Sequence, residues 1–183
     1  MSWFQLNPEL MAEVNANDRA PLKVPVGAIT TGGKSRWSDV MTIVGTEYEE
    51  MKPESGQKNE GDLIGQVRLK LRVSEAYATD PANKGRILSA TKRINYTQME
   101  TKANSGQVEM SKISLRQLSS LLMALGVITS PNEIKSMGEF FAAGAAGNGR
   151  VIGASVIAQI EHGANKQGEP QQEPVRFAPF QQG

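Results

Sequence analysis

The sequence contains no cysteine, and among its 183 residues there is a single histidine, His162. The lack of cysteine excludes a disulfide framework, a thiolate nucleophile and a zinc site built on cysteine ligands. One histidine cannot make a zinc centre by itself, and it does not identify a Ser-His-Asp set. No other catalytic constellation stands out. The sequence therefore predicts a protein that is not an enzyme and that uses no metal or cofactor.

Long apolar runs are also absent. No uninterrupted apolar stretch approaches the roughly 18 residues of a membrane-spanning helix. The start of the chain, Met1-Ser2-Trp3-Phe4, lacks the basic region and apolar run of a secretory signal. Hydrophobic residues make up 39%, and 18 glycines with 9 prolines indicate many turns. We therefore expect a soluble, cytoplasmic chain with one main domain of short strands.

The most informative stretch is 65–73, where apolar and basic side chains alternate strictly. The apolar residues are Val67, Leu69, Leu71 and Val73, and the basic residues between them are Arg68, Lys70 and Arg72. A period of two is typical of a strand with one buried face. The pattern predicts a strand that enters the core on one side and presents positive charge on the other.

The charge distribution extends this basic region. Residues 64–116 carry 10 Lys/Arg against 4 Asp/Glu, a difference of +6, whereas residues 1–63 carry 6 against 10 and residues 117–183 carry 4 against 5. Such segregation is typical of a face that binds a polyanion. A solvated face that is basic by chance is the alternative.

Turn signals divide the rest of the chain into strands and loops. Residues 22–31 predict a strand that ends at the turn Gly32-Gly33, and 40–51 predict a second. Residues 86–99 are expected to pair with the basic strand as a hairpin, and 150–160 predict a late strand. The polar segments 52–62 and 100–107 are expected to be mobile loops.

Two helices are indicated by capping signals. Ser114 and Gln117 form a capping box ahead of a leucine stripe that stops at Gly126, which predicts a helix near 114–126. Ser130 and Glu133 repeat the box, and an apolar face after them predicts a second helix near 131–143.

These elements suggest three parts. Residues 1–20 are expected to form an N-terminal arm, with a short helix after Asn7-Pro8. Before it, an aromatic cluster of Trp3 and Phe4 with Leu6 is expected to pack on the domain or to bind a partner. Residues 21–163 are expected to form the main domain. Residues 164–183, rich in Gln, Pro, Glu and Gly, are expected to be a flexible tail.

Basic and aromatic residues are interleaved on the predicted strands and their loops. The candidate nucleic-acid-binding residues are Lys34, Arg36, Trp37, Arg68, Lys70, Arg72, Tyr77, Lys84, Arg86, Lys92, Arg93 and Tyr96. Single-stranded nucleic acid needs cations to follow its phosphates and rings on which unpaired bases stack. Trp37 is the first stacking candidate, followed by Tyr96 and Tyr77, with core packing as the alternative for each.

Two further patterns suggest catalytic sites. Gly33-Lys34-Ser35 matches the end of a phosphate-binding loop, but the first glycine of that motif would fall at Ala28, so the spacing fails. Glu47, Glu49, Glu50 and Glu54 could bind a divalent cation for nuclease chemistry. No second acidic cluster completes such a site, which favours a solvated loop edge.

With these residues assembled, residues 62–180 resemble phage-encoded single-stranded DNA-binding proteins of the OB-fold type. The resemblance consists of the Val67–Val73 pattern, a Lys84-Gly85-Arg86 hairpin, the helix from Leu115 to Val127, and a late strand before a Gly- and Pro-containing end. It implies a mainly β fold with some α: an OB-like barrel of about five strands, a helix pair and the tail. Such proteins often end in an acidic segment that recruits replication partners, whereas Gln167–Gly183 is nearly neutral.

Our leading expectation is therefore sequence-tolerant, non-enzymatic binding of single-stranded DNA in phage replication or recombination, in the cytoplasm of a bacterial host cell. Other replication or recombination proteins and a second copy of the chain are further candidate partners. The alternative is a structural or adaptor protein, such as a virion component, whose basic strand is a sheet edge that its charges protect from aggregation.

Overall fold

The structure, a computed structural model, describes residues 21–181. Its strands in this range are β1 (Ile29–Thr31), β2 (Lys34–Met51), β3 (Ile64–Val73), β4 (Ile87–Asn95), β5 (Ser155–Ala164) and β6 (Pro170–Pro179). Its α-helices there are α1 (Tyr96–Glu100), α2 (Gly106–Ala124) and α3 (Gly138–Phe141), with single 3-10 turns at Pro81–Asn83, Pro131–Glu133 and Asn148–Arg150. The predicted N-terminal helix and its aromatic cluster lie outside the described residues.

All strand pairs are antiparallel, and they form one sheet in the order β4-β3-β2-β5-β6, with β1 paired to β2. The mainly β character predicted from the sequence is confirmed. Strand β2 has 18 residues, long enough to pair with two neighbouring strands over different parts of its length. Its first half pairs with β5 and its second half with β3, and the register shifts between Ile43 and Gly45, where the pairing changes sides.

The two ends of this strand order, β4 and β6, are connected by side chains. The Lys92 ammonium on β4 is 3.2 Å from the Glu173 carboxylate and 3.3 Å from the Pro174 carbonyl oxygen on β6. Helix α2 packs against both strands, and the Ser120 hydroxyl donates to the Phe177 carbonyl. The inner face of the sheet is thereby enclosed as a core.

Strand β3 has the alternation that the sequence predicts. Val67, Leu69, Leu71 and Val73 are buried in the core, whereas Arg68, Lys70 and Arg72 are exposed. The predicted hairpin with β4 is also confirmed, with Lys70 opposite Ser89. Because β3 is bonded to β2 on one side and to β4 on the other, it is not a sheet edge. The edge-protection reading of its charges is therefore wrong.

Helix α2 is longer than predicted at its start. It begins at Gly106, and its cap is Ser105, whose side chain accepts from the Val108 amide; the predicted cap, Ser114, is buried within the helix. The predicted loop 100–107 therefore contains the end of one helix and the start of the next. The stop at Gly126 is confirmed: it has a positive φ of 72°, and the amide of Val127 donates to the Leu122 carbonyl as in a Schellman motif.

The second predicted helix, 131–143, is not continuous. The capping box of Ser130 and Glu133 is present, but it begins a single 3-10 turn that ends where Ile134 becomes extended. The Ser136 hydroxyl then accepts from the Glu139 amide at the start of the short helix α3. Because of this break, Ile134 and the buried Phe141 both contact the core without lying on one face of a continuous helix.

The predicted flexible tail contains a strand. Within 164–183, β6 pairs with β5 along its length, so the main domain extends beyond residue 163. The prolines that suggested a tail are accommodated: Pro170 and Pro179 lie at the ends of the strand, and Pro174 lies where the register shifts between Gln159 and Ile160. Proline is tolerated at such positions because it interrupts no regular ladder hydrogen bond.

We predict that Gly65→Ala will destabilise the fold by roughly 1–3 kcal/mol through overpacking. A Cβ at Gly65 would lie 2.6 Å from the Tyr96 ring, closer than carbon atoms can approach. Gly45→Ala is the matched control in the same sheet, because its Cβ would meet Lys70 at an ordinary 3.6 Å. Urea unfolding of both variants measures the difference; equal stability of the two would contradict the clash.

Candidate nucleic-acid interface

The exposed face of β3 and β4 carries the basic residues that the alternation predicted. Arg68, Lys70 and Arg72 project from β3, and Arg93 projects from β4, where it lies opposite Gln66. Lys92 differs from this group, because it points inward and is only 4% exposed. The structure therefore brings four of the candidate cations to one face and uses Lys92 to link β4 to β6.

Part of this basic face is compensated by acidic residues of β2. The Arg68 guanidinium is 3.3 Å from the Glu47 carboxylate and 3.4 Å from that of Glu49. Arg93 donates to the Gln66 side chain at 2.7 Å, and Gln66 in turn donates to Glu49 at 3.2 Å. Exposed ion pairs contribute little to stability, but these lower the positive potential at this end of the face.

Lys70 and Arg72 are the uncompensated part of the face. Within residues 21–181 neither makes an ion pair. Their neighbours across the sheet are small or uncharged: Gly45 and Ser89 flank Lys70, and Thr42 and Ile87 flank Arg72. Two adjacent outward cations with no acidic residue directly opposite them in the sheet can contact successive phosphates of an extended chain.

Lys34 and Arg36, at the start of β2, are ion-paired with an acidic residue of β5. The Glu161 carboxylate is 2.9 Å from the Lys34 ammonium and 2.7 Å from the Arg36 guanidinium. The hydrogen bond from Lys34 and then that from Arg36 lower the pKa of Glu161 against an opposing effect of burial. These two cations are fixed in position, and Glu161 offsets one of their charges.

We predict that this site makes the fold acid-sensitive. Because the folded pKa of Glu161 is lowered, its contribution to stability is complete above the unfolded pKa and is lost as the pH falls through the folded value. The stability advantage of the wild type over Glu161→Gln should therefore be present at pH 7 and shrink on acidification below about 4.5, the ordinary pKa of the group.

Urea unfolding of both proteins between neutral and acid pH measures that difference. Glu100→Gln is the control, since Glu100 is exposed and makes no ion pair among the described residues. A wild-type advantage that does not change with pH would show that the ion pairs do not lower the pKa of Glu161.

Trp37, the first stacking candidate, lies in the core. It is 6% exposed, and its indole Nε1 donates to the Asp39 carboxylate at 2.8 Å. The same carboxylate accepts from the backbone amide of Thr79 at 2.7 Å, which fastens the 74–80 loop to β2. At 6% exposure the Trp37 ring is almost fully covered, and its observed role is packing.

Tyr96, the second stacking candidate, is partly buried at the start of α1. Its ring covers Gly65, and its hydroxyl lies 2.9 Å from that of Tyr48, which donates its own proton to Glu50 at 2.7 Å. Tyr96 is therefore the donor to Tyr48. Burial is the main cause that raises the pKa of both tyrosines. The Tyr96 ring lies against Gly65 and its hydroxyl is bound to Tyr48, so Tyr96 is also a packing residue.

Tyr77 is the candidate aromatic that the structure leaves accessible. It is 49% exposed, and its ring meets that of Phe180 edge to face, with the centroids 5.2 Å apart. Lys84 is exposed in the same β3–β4 connection, and Arg86 is half-buried at its end. The connection also carries Glu75 and Asp80, so it adds no net charge, but it supplies an aromatic pair that can receive a base.

Sequence reasoning missed a hollow on the outer side of the sheet beside β1. It has a volume of about 420 Å³, and Ile29, Arg36, Ser38, Thr79 and Gln159 contribute to its lining. Arg176, opposite Gln159 on β6, is exposed beside this region. The sequence does not predict Arg176 as part of a binding surface, because its segment has the composition of a flexible tail. The alternation of Gln159 and Glu161 with buried Ala158 and Ile160 was the available signal for the outward face of β5.

The acidic cluster proposed as a nuclease alternative does not assemble. Glu47 and Glu49 pair with Arg68, and Glu50 accepts from Tyr48. Among residues 21–181, no three His, Asp or Glu side chains are grouped so that they could hold a metal ion. His162 instead contacts Gln172 at 2.9 Å.

The described part of the chain also has no helix long and apolar enough to cross a membrane.

Comparison with models of known protein families finds no match, and no curated protein matches the chain. Its function is therefore argued from the geometry of this face.

Proposed function

We propose that the chain is a non-enzymatic single-stranded DNA-binding protein built on an OB-like barrel, and that the outer face of β3 and β4 contacts the phosphates. The observation that carries the proposal is the pair of exposed cations, Lys70 and Arg72, that no acidic residue of the described chain compensates. By contrast, Arg68 on β3 and Arg36 on β2 also face outward, but each is paired with a carboxylate.

The strand order supports the OB-like part of this proposal. Apart from the short β1, the sheet has five strands: a meander of β2, β3 and β4, then α2, then β5 on the other side of β2, then β6. We infer a five-stranded, partly open Greek-key barrel from the long first strand shared by two neighbours and from the contacts between β4 and β6. In such barrels the second and third strands, here β3 and β4, present the surface that binds oligonucleotides.

The chemistry of the face supports recognition of the backbone rather than of the bases. Lys70 and Arg72 offer charge to phosphates, and Tyr77 offers an aromatic ring, with which any base can stack. We therefore propose binding that tolerates sequence, and a role in phage replication or recombination follows from the sequence resemblance alone.

The proposal is tested by titrating the protein with a fluorescein-labelled oligothymidine over a range of salt concentrations. We expect binding at low salt that weakens steeply as salt rises, because counterions released from the DNA are taken up again on dissociation. A mixed-sequence strand of equal length should bind similarly, and duplex DNA more weakly. An RNA of the same length shows whether the sugar matters.

The result that would overturn the proposal is a folded protein with no measurable affinity for single strands at low salt. That outcome would favour the structural or adaptor role, although the edge-protection reading of β3 has already been excluded by its pairing on both sides. Cleavage of the strand that requires a divalent cation would instead indicate a nuclease.

A further inference from the structure

An apolar groove lies on the side of the molecule formed by α2 and the end of β6. It has a volume of about 630 Å³, and its apolar lining includes Leu115, Met123, Phe177 and Pro179, with Arg116 among the lining residues. The Ser120 hydroxyl, which donates to the Phe177 carbonyl at 3.3 Å, holds helix and strand together at this groove. The groove is separate from the basic face, which is on β3 and β4.

The exposed apolar side chains of α2 point to an occupant. Met110, Ile113 and Met123 are 62%, 48% and 42% exposed, and Met123 lies in the groove. A helix of a folded domain usually buries such residues, and exposed apolar patches commonly mark binding surfaces. Of these three, Met123 is the one that leaves an exposed apolar side chain in the groove, which fits an occupant with apolar side chains.

The segment before Leu22 has the composition that fits. Residues 1–20 include Trp3, Phe4, Leu6, Leu10, Met11 and Val14. They also carry three acidic residues, Glu9, Glu13 and Asp18, against one basic residue, Arg19. The acidic side chains complement Arg116, which is exposed at the groove. Apolar content and charge thus agree with those of the surface.

The attachment point is also suitable. The backbone of Leu22 is fixed to β6 by two hydrogen bonds with the Gln172 side chain, each 2.7 Å long. Phe177, in the groove, is five residues further along the same strand, about 17 Å at the rise of a strand. Twenty residues can span about 60 Å when extended, so the segment is long enough to reach the groove.

We propose that residues 1–20 turn back along β6 and place apolar side chains in the groove between α2 and β6. The groove is then an intramolecular docking site, and a protein that binds there must first displace this segment. The inference does not depend on the DNA-binding proposal.

Trp3 provides a direct measurement, since the other tryptophan, Trp37, is buried and gives a constant background. The Trp3 signal is the difference between each protein and its Trp3→Phe counterpart. We expect Met123→Asp to shift the Trp3 emission to the red and to raise its quenching by acrylamide. Met110→Asp, which places the same charge on the same helix outside the groove lining, should leave both unchanged. Equal responses to the two variants would overturn the proposal.

Cross-linking tests the same contact without altering Met123, and the absence of native cysteine makes each engineered pair unique. Under mild oxidation, Phe4→Cys with Ser119→Cys should form an intrachain disulfide. Ser119 lines the groove, whereas Ser89 is exposed on the outer face of β4. A freely moving segment would sample both sites at comparable effective concentration, so we expect the groove pair to form at least about tenfold faster than Phe4→Cys with Ser89→Cys.

Three outcomes of the cross-linking can be distinguished on a non-reducing gel. A fast-migrating monomer specific to the groove pair supports the proposal. A disulfide-linked dimer specific to that pair overturns it in favour of a groove that takes the segment of a second copy. Equal rates for the groove pair and the Ser89 pair overturn it altogether.

Discussion

The variant Lys70→Glu/Arg72→Glu is expected to weaken binding of an oligothymidine by at least about a hundredfold at low salt, because two phosphate contacts are lost and repulsion replaces them. On β3, Lys70 and Arg72 are the cations that make no ion pair within residues 21–181, whereas Arg68 is paired, so they should contribute most to the potential of that strand. Both side chains point outward, away from the core, so their reversal should leave the fold intact.

The salt dependence of this variant gives a second, more specific result. Each phosphate contact to a single strand contributes about 0.7 to the slope of log affinity against log salt. The slope should therefore become less steep by about 1.4 when both contacts are removed. Measurement of the slope separates a loss of phosphate contacts from a general loss of folded protein, which would lower the active fraction without changing the slope.

The matched control is Lys135→Glu/Lys166→Glu. It changes the net charge of the protein by the same amount, its exposed positions lie in the segment after α2 and between β5 and β6, and neither makes an ion pair within residues 21–181. We expect only a small decrease in affinity from this pair. If both double variants lose the same affinity, binding responds to net charge alone, and the assignment of the site to β3 is wrong.

The reciprocal variant, Glu47→Gln/Glu49→Gln, should strengthen binding. Both carboxylates lie within 3.4 Å of Arg68. Their neutralisation frees Arg68 to contact a phosphate and should make the salt slope steeper by about 0.7. Unchanged affinity would show that the strand does not pass over this end of the face.

The parts of the site that the sequence predicted are those that depend on local pattern. The alternation from Val67 to Val73 needs only a strand with one buried side, and the outward positions of Arg68, Lys70 and Arg72 follow from it. The stop of α2 at Gly126 is local in the same way, since it depends on one residue that adopts a positive φ.

The parts that were missed depend on contacts between distant residues. Glu161 compensates Lys34 and Arg36 across 127 and 125 positions of sequence, through the register of β2 with β5. Such a pairing has no signal in either segment alone. Strand β6 was hidden by its prolines, which become acceptable only when the ends of the strand and its register shift are known.

The burial of Trp37 is hard to predict from the sequence, because a charged residue, Asp39, interrupts the series of buried apolar positions on β2. Trp37, Asp39, Met41 and Ile43 all have buried positions on β2. An aspartate in such a series breaks the apolar alternation, so the predicted strand was started at Val40, after both residues. Its carboxylate is tolerated in the core because the Trp37 indole and the Thr79 amide satisfy it.

This arrangement makes Asp39→Ala the substitution with the largest effect that we expect on stability, a loss of about 3–5 kcal/mol. Asp39 is 2% exposed. Hydrogen bonds to a charged group contribute about 1.5–3 kcal/mol each, and their removal leaves two buried donors without a partner. Since domains are commonly stable by about 5–15 kcal/mol, the loss is a large fraction of the total. Urea unfolding of the variant and the wild type measures it.

Asp39→Asn is the matched control, because its amide oxygen can still accept from one of the two donors. We expect it to retain a substantial part of the stability that Asp39→Ala loses, and the emission of Trp37 to shift less. A loss below about 1 kcal/mol for Asp39→Ala would mean that water replaces the carboxylate at little cost. Water that reaches the Trp37 indole would make its surroundings open to solvent, and the ring would again become a candidate for stacking with a base.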